Sequence, residues 1–210
     1  MTFEGFPESA FDFYDDLEVD NSKVFWDAHK DVYRAAVRDP MVALTDRLAD
    51  EFGEAKVFRP YRDVRFSKDK TPYKTHQGAF VGVAPATGYH LEIAAPGFRV
   101  GSGFYEAAPD RLAAIRQAID DDRFGPELEK ILATLRRAGW AIGGDRVKTA
   151  PRGWSLDHPR IDLLRHRSLT VMKSYDFEDV IGNPALADRI RTDWRQTTPL
   201  VDWVATHGRV

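Results

Sequence analysis

Residues 79–103 read AFVGVAPATGYHLEIAAPGFRVGSG, and this stretch decides the fold. Three short runs, Ala79–Ala84, Tyr89–Ala95 and Phe98–Gly103, alternate or concentrate apolar side chains, with Gly and Pro punctuating them. The connections Pro85–Gly88 and Pro96-Gly97 are too short for a helical crossover, which takes about a dozen residues, so the runs are expected to pair antiparallel as a meander. Val57-Phe58 begins a strand before them and Leu169–Lys173 supplies one after them.

Helical spacing surrounds this meander. Phe6, Ala10, Phe13 and Leu17 form one stripe; Asn21 or Ser22 caps a second helix carrying Phe25, His29, Val32, Tyr33 and Ala36. Pro40 fits the first turn of a third helix with Met41, Leu44, Leu48 and Phe52 inward, ended by Gly53. Pro109 and Pro126 open two more, the first burying Leu112, Ile115, Ala118 and Ile119, the second Leu128, Ile131, Leu132 and Leu135 up to Gly139. A loop or short strands follow, then a short helix start in Asp157–Arg167 and two closing helices, Pro184–Trp194 and Pro199–Thr206. Helices on both sides of one antiparallel sheet define an α+β fold, and without internal repeats a single domain over residues 1–210 is expected.

Composition bounds the function. The 210 residues carry 30 Lys+Arg against 33 Asp+Glu, and 13 Phe, 7 Tyr and 5 Trp supply core material. The absence of Cys excludes disulfides, thiolate nucleophiles and Cys-ligated metal clusters, and fits a reducing compartment. The first fifteen residues hold four acidic side chains and no basic one, unlike a signal peptide. No run approaches the roughly 18 apolar residues of a membrane span, so a cytoplasmic protein without a membrane partner is expected.

Charge is distributed unevenly. Residues 1–55 carry 14 acidic and 5 basic side chains, a balance of −9, whereas Arg59–His76 carries 6 basic and 2 acidic (+4) and Arg146–Lys173 carries 7 basic and 2 acidic (+5). The first basic stretch reads RPYRDVRFSKDKTPYKTH, with Tyr61, Phe66 and Tyr73 between the cations. Pro72 pushes Thr71 to extended geometry, so Ser67–Tyr73 is expected to be an ordered turn displaying cations. Arg offers a planar fork to carboxylate or phosphate and Lys a point charge, with Ser67, Thr71 and Thr75 adding hydroxyls. A solvated turn neutralised by the acidic helices is the alternative.

In the second stretch, PRGWSLDHPRIDLLRHR over Pro151–Arg167, Pro159 sits near a helix start with Asp157 or His158 close to the cap. The functional alternative has His158 facing a ligand, with Asp157 orienting it or accepting a proton. Arg152-Gly153-Trp154 brings a cation and a flat ring to the same mouth, unless the Trp is simply buried.

The segments LEVDNSKVFWDAHKDVY, RDVRFSKDKTPYKT, GFRVGSGFY and PRGWSLDHPRIDLLRHRSL, in this order, resemble the family known as domain of unknown function 2461. The resemblance implies a single α+β domain and brings with it no activity, cofactor or catalytic residue. Residues 62–74 match its hallmark string, which implies something more than a solvated turn. The usual paired Asn after the first helix is here Asp20-Asn21.

Other motifs are weak. Gly101-Ser102-Gly103 resembles a dinucleotide fingerprint, but Glu106 takes the third glycine's place and the strands before it read as antiparallel. Neither a Walker A loop nor a Gly-x-Ser-x-Gly elbow occurs. His90 and Glu92 share a strand face without a third metal ligand at recognisable spacing, and read as a surface or satisfied core pair.

The expectation is therefore a cationic site for a phosphate- or carboxylate-bearing small molecule, with no metal and no cofactor. Arg62, Arg65, Ser67, Lys68, Lys70, Tyr73, Lys74, Arg152 and Trp154 are the expected ligand contacts. Should the protein be an enzyme, Asp63, Asp157 and His158 are its proton-transfer groups and phosphoester or acyl hydrolysis its reaction class. One alternative is a nucleic-acid-binding module in which Tyr61, Phe66 and Tyr73 stack on bases. Another is a structural clamp in which the cations pair with the acidic N-terminal segment and take no ligand. The oligomeric state is not legible.

Overall fold

A computed structural model describes residues 2–176 and 179–209. It opens with helix α1 (Ser9–Val19), which buries Ala10, Phe13, Tyr14 and Leu17. Ser22 caps α2 (Lys23–Val32) by accepting a hydrogen bond from the Phe25 N–H at 3.2 Å. The expected break at Pro40 does not occur: α2 runs through a π-helical segment, Tyr33–Arg38, directly into α3 (Asp39–Phe52). The Asp39 N–H donates to the Arg34 carbonyl five residues back, and this wider turn gives room to a proline ring that would crowd an α-helical interior. Gly53, at φ +96°, ends the helix as its position predicts.

The strands follow as β1 (Ala55–Val57), β2 (His76–Ala84), β3 (Thr87–Ala94) and β4 (Gly97–Phe104). Helices α4 (Pro109–Asp120) and α5 (Phe124–Arg137) lead to β5 (Ala141–Gly143), the four-residue α6 (Ile161–Leu164), β6 (Leu169–Asp176) and α7 (Leu186–His207). Among the described residues the six strands form one antiparallel sheet in the order β1-β2-β3-β4-β6-β5. The outer pairs set Ala55 opposite Val81 and Ala141 opposite Met172. The α+β reading therefore holds, with strand ends shifted by up to three residues and β5 resolved out of the segment read as loop or short strands.

The two closing helices are one. Leu186, Ile190, Trp194, Val201 and Val204 are all fully buried, a stripe that passes Pro199 in phase, so burial on both sides keeps the helix going. The Thr197 and Thr198 hydroxyls donate to the Trp194 carbonyl in the turn the proline disturbs. No helix among the described residues is long and apolar enough to cross a membrane.

The chain divides into two compact units. The first comprises Met1–Val81, His90–Val100 and Ser174–Arg191; the second comprises Gly82–Tyr89, Gly101–Lys173 and Thr192–Val210. The first has its core around Phe13, Leu17, Trp26, Leu44, Leu91 and Ile93, and the second around Ile115, Leu128, Leu132, Val171, Trp194 and Leu200. In the second, a Cβ at Gly101 would lie 2.2 Å from the Met172 sulfur, and one at Gly103, where φ is +121°, would lie 2.2 Å from the Leu169 carbonyl oxygen. The Gly-Ser-Gly run thus serves the close approach of β4 to β6 rather than a dinucleotide.

Candidate functional site

The basic loop is built as a long hairpin on the first unit. Tyr61 and Tyr73 form an isolated antiparallel bridge, with Arg62 N–H donating to the Pro72 carbonyl and Lys74 N–H to the Pro60 carbonyl, each at 2.8 Å. Tyr73 is buried and stacks on Trp26 at 4.3 Å with the rings 7° from parallel. Asn21 grips the same residue from both sides: its Nδ2 donates to the Tyr73 carbonyl at 3.1 Å, and its Oδ1 accepts from the Tyr73 N–H at 3.0 Å. Asn21 therefore acts on the loop, while Ser22 does the capping.

Beyond this anchor the loop pairs mostly with itself. Arg65 donates through Nε and Nη2 to both oxygens of Asp63, at 2.9 and 2.7 Å, and holds that carboxyl below its ordinary value. Arg62 reaches Asp69 and the Thr71 hydroxyl, each at 2.5 Å. The Thr71 N–H and hydroxyl are the main cause of the low Asp69 carboxyl. Lys70 donates to the Val64 carbonyl at 2.9 Å. Ser67 is half-buried, Lys68 is exposed without a side-chain partner among the described residues, and Phe66 beside it is 96% exposed.

Where the loop runs into β2, a cleft of about 300 Å³ opens, lined by Glu18, Thr75, His76, Glu92, Phe98, Arg99 and Ser174 among others. Period-two alternation puts His90 and Glu92 of β3 on one face, and His76 of β2 and Arg99 of β4 reach the same carboxylate. Arg99 Nη2 donates to Glu92 Oε1, while His90 Nε2 lies 3.4 Å and His76 Nε2 3.9 Å from Oε2. Glu92 is 9% exposed through its side chain and Arg99 52%. Burial pushes the Glu92 carboxyl up, but the His90 hydrogen bond and the His76, Arg99 and His90 charges outweigh it and hold the pKa below the ordinary value. Burial, helped by Lys74, Arg99 and His90, lowers the His76 pKa against the pull of Glu92, so its imidazole is neutral at pH 7. Lys74 stands 5.3 Å over the Phe58 ring, its pKa lowered by burial and by Arg59. No three His, Cys, Asp or Glu among the described residues are arranged to hold a metal ion.

Arg152, Trp154, Asp157 and His158 belong to the second unit. Arg152 is exposed and Trp154 half-buried in a turn closed by its N–H to the Pro151 carbonyl at 3.2 Å. The carboxylate that orients His158 is Asp120, 2.8 Å from Nε2, rather than Asp157. His158 Nδ1 accepts from the Arg160 N–H at 3.0 Å, which fixes the tautomer with the proton on Nε2. Asp157 is exposed, with its N–H donating to the Ser155 hydroxyl.

Of the residues expected from sequence, the structure sets Lys74 beside the cleft, puts Arg62, Asp63, Arg65, Ser67, Lys68 and Lys70 in the adjoining loop, and buries Tyr73 beneath it. Glu92, His76 and Arg99 were not expected. The only signal for them was the His90/Glu92 alternation.

The model of the family described as conserved hypothetical protein (DUF2461) matches residues 9–203, nearly the whole described chain. The chain belongs to this family. No curated protein matches it. Among solved structures, it is similar to an uncharacterized protein from Methanothermobacter thermautotrophicus, at 16% identity and a TM-score of 0.40, over 76% of this chain and 92% of the other. DUF2461 thus names a family and assigns no reaction to it, so a functional reading has to rest on the cleft.

Proposed function

We propose that this DUF2461 protein binds a small phosphate- or carboxylate-bearing molecule in the cleft beside Glu92, and that hydrolysis of a phosphoester or acyl bond is the chemistry of the site. One observation carries the reading. Both oxygens of Glu92 are already engaged, by Arg99 and by the histidines, whereas Lys74 and Arg59 have no carboxylate within ion-pair distance among the described residues. Glu18 brings a second carboxylate to the cleft lining and Arg99 a half-exposed cation, while Lys74, next in the chain to the lining residue Thr75, interacts electrostatically with both Arg59 and Glu92. A field of this sign in a partly dry cleft attracts an anion. Lys68 and Lys70 of the hairpin extend it toward solvent. His76, neutral at pH 7 and lining the cleft, is the group that takes a proton from attacking water. Arg152, Trp154, Asp157 and His158 are not needed for this reading.

Isothermal titration with inorganic phosphate tests the binding. Saturable uptake that Arg99→Gln and Lys74→Ala each weaken at least tenfold supports the proposal; no uptake, or variants that bind like the native protein, overturns it. Hydrolysis is read with p-nitrophenyl phosphate and p-nitrophenyl acetate, where His76→Gln is expected to remove turnover and leave phosphate binding in place.

The exposed Phe66 ring between Arg65 and Lys68 favours a second reading, in which the hairpin tip stacks on a single-stranded nucleic acid. Affinity for a mixed-sequence oligonucleotide that falls steeply with salt and is lost in Phe66→Ala supports that reading over the first.

A further inference from the structure

The second unit contains a cation without a counter-charge. Arg111, in the first turn of α4, is 5% exposed. Its Nη1 donates to the Pro85 carbonyl and its Nη2 to the Thr87 hydroxyl at 2.8 Å, both neutral acceptors, while its buried Nε–H has no acceptor. No carboxylate lies within ion-pair distance of it among the described residues. Guanidinium stays charged in proteins, and a buried charge left unpaired is strongly disfavoured. Fastening the Pro85–Thr87 turn accounts for two of its five N–H groups and does not call for a charge. The missing acceptor and the missing negative charge are one deficit, and a single carboxylate meets both.

Arg111 lines a cleft of about 970 Å³ in that unit. Gly208, just past the end of α7, covers the Nε–Nη2 edge of the guanidinium: a Cβ there would sit 2.8 Å from Nε, 2.8 Å from the Val204 carbonyl oxygen and 3.3 Å from Nη2. Glycine thus keeps a side chain away from the edge that a carboxylate grips with both oxygens. Val83, Ala84 and Ala205 give the cleft an apolar wall, and the positive end of α4 adds to the attraction for an anion. Asp110 and Asp202 also line it, and their charges select against a doubly charged group such as phosphate.

We infer that this cleft binds a short apolar monocarboxylate, held through the Nε and Nη2 edge of Arg111. The ligand seats as Gly208 and Arg209 move aside, because Nε is closed off from water in the structure. The site is independent of the cleft beside Glu92.

Titration of the full chain with butyrate, with inorganic phosphate as competitor, tests the inference. Expected are one saturable butyrate site, no competition by phosphate, and at least tenfold weaker binding in Arg111→Gln and in Arg111→Lys. Arg111→Lys guards against a mere folding defect, since it keeps the charge and the reach of the side chain but loses the Nε–Nη2 fork; its thermal midpoint and near-UV circular dichroism are expected to stay near native. Lys74→Ala, in the first unit, is expected to bind butyrate unchanged, whatever its effect on phosphate. Absence of saturable butyrate binding, native-like binding by Arg111→Gln or by Arg111→Lys, phosphate competing at the same site, or loss of butyrate binding in Lys74→Ala would each overturn it.

Discussion

Replacing Glu92 by Gln keeps the shape of the side chain and removes its charge, leaving Arg99 without a carboxylate. Breaking a fully buried pair costs about 3–5 kcal/mol and an exposed one less than about 1. Glu92 is nearly buried, but Arg99 is half in water and recovers part of its solvation, so the cost falls between, at about 2 kcal/mol. For a chain of this length that lowers the thermal midpoint by about 4–8 °C at pH 7. The pH profile sharpens the test. The Glu92 carboxyl is held below its ordinary value of 4.5, so its contribution is fully present above pH 4.5 and is lost as pH falls through the folded pKa. The His76 pKa is lowered from 6.5, so the unfolded chain binds that proton first and stability also falls on acidification below pH 6.5. Differential scanning calorimetry from pH 3 to pH 8 is expected to show both limbs in the native protein. In Glu92→Gln the limb below pH 4.5 becomes shallower, with Asp63 and Asp69 still contributing to it, and the limb below pH 6.5 remains. A variant within about 1 °C of native at pH 7, with an unchanged acid limb, refutes this account of the cluster.

Two further outcomes concern how the loop and sheet are held. Asn21→Ala removes both hydrogen bonds to the Tyr73 backbone and is expected to cost about 1–3 kcal/mol, with amide exchange accelerating at Tyr73 and Lys74, where the hairpin is anchored, more than in the rest of the first unit. Gly103→Ala forces a side chain into positive φ and against the Leu169 carbonyl, so a loss of about 3 kcal/mol or more is expected in denaturant unfolding. A loss under about 1 kcal/mol would mean β4 can draw away from β6 without penalty.

Legibility in the sequence tracked how local each cause was. Strand alternation in residues 79–103, the Ser22 cap and the Gly53 stop each depend on a few neighbouring residues, and each was read from them. Pro40 and Pro199 misled because a proline at the first turn of a new helix and one absorbed into an existing helix look alike in sequence; the π segment and the buried α7 stripe decide the matter, and both depend on tertiary packing. The Glu92 cluster needs the mutual register of β2, β3 and β4, which no spacing within one strand reveals. The loop was read as an ordered turn displaying cations, and Tyr73 stacked on Trp26 anchors it; two of those cations, Arg62 and Arg65, pair with its own Asp69 and Asp63 rather than with the acidic helices, because a reach of two to seven residues within a hairpin is shorter than any reach to another element.

The division of the chain into two units has a practical meaning for dissecting this protein. The backbone passes between them five times, after Val81, Tyr89, Val100, Lys173 and Arg191, and each passage lies inside a strand or a helix rather than in a linker. No single cut releases either unit: a truncation that stops at Val81 or begins at Thr192 trims one unit alone, and any deeper one removes part of both. Deeper truncations thus report on both halves at once, whereas substitutions, which leave the thread intact, can tell which half does what.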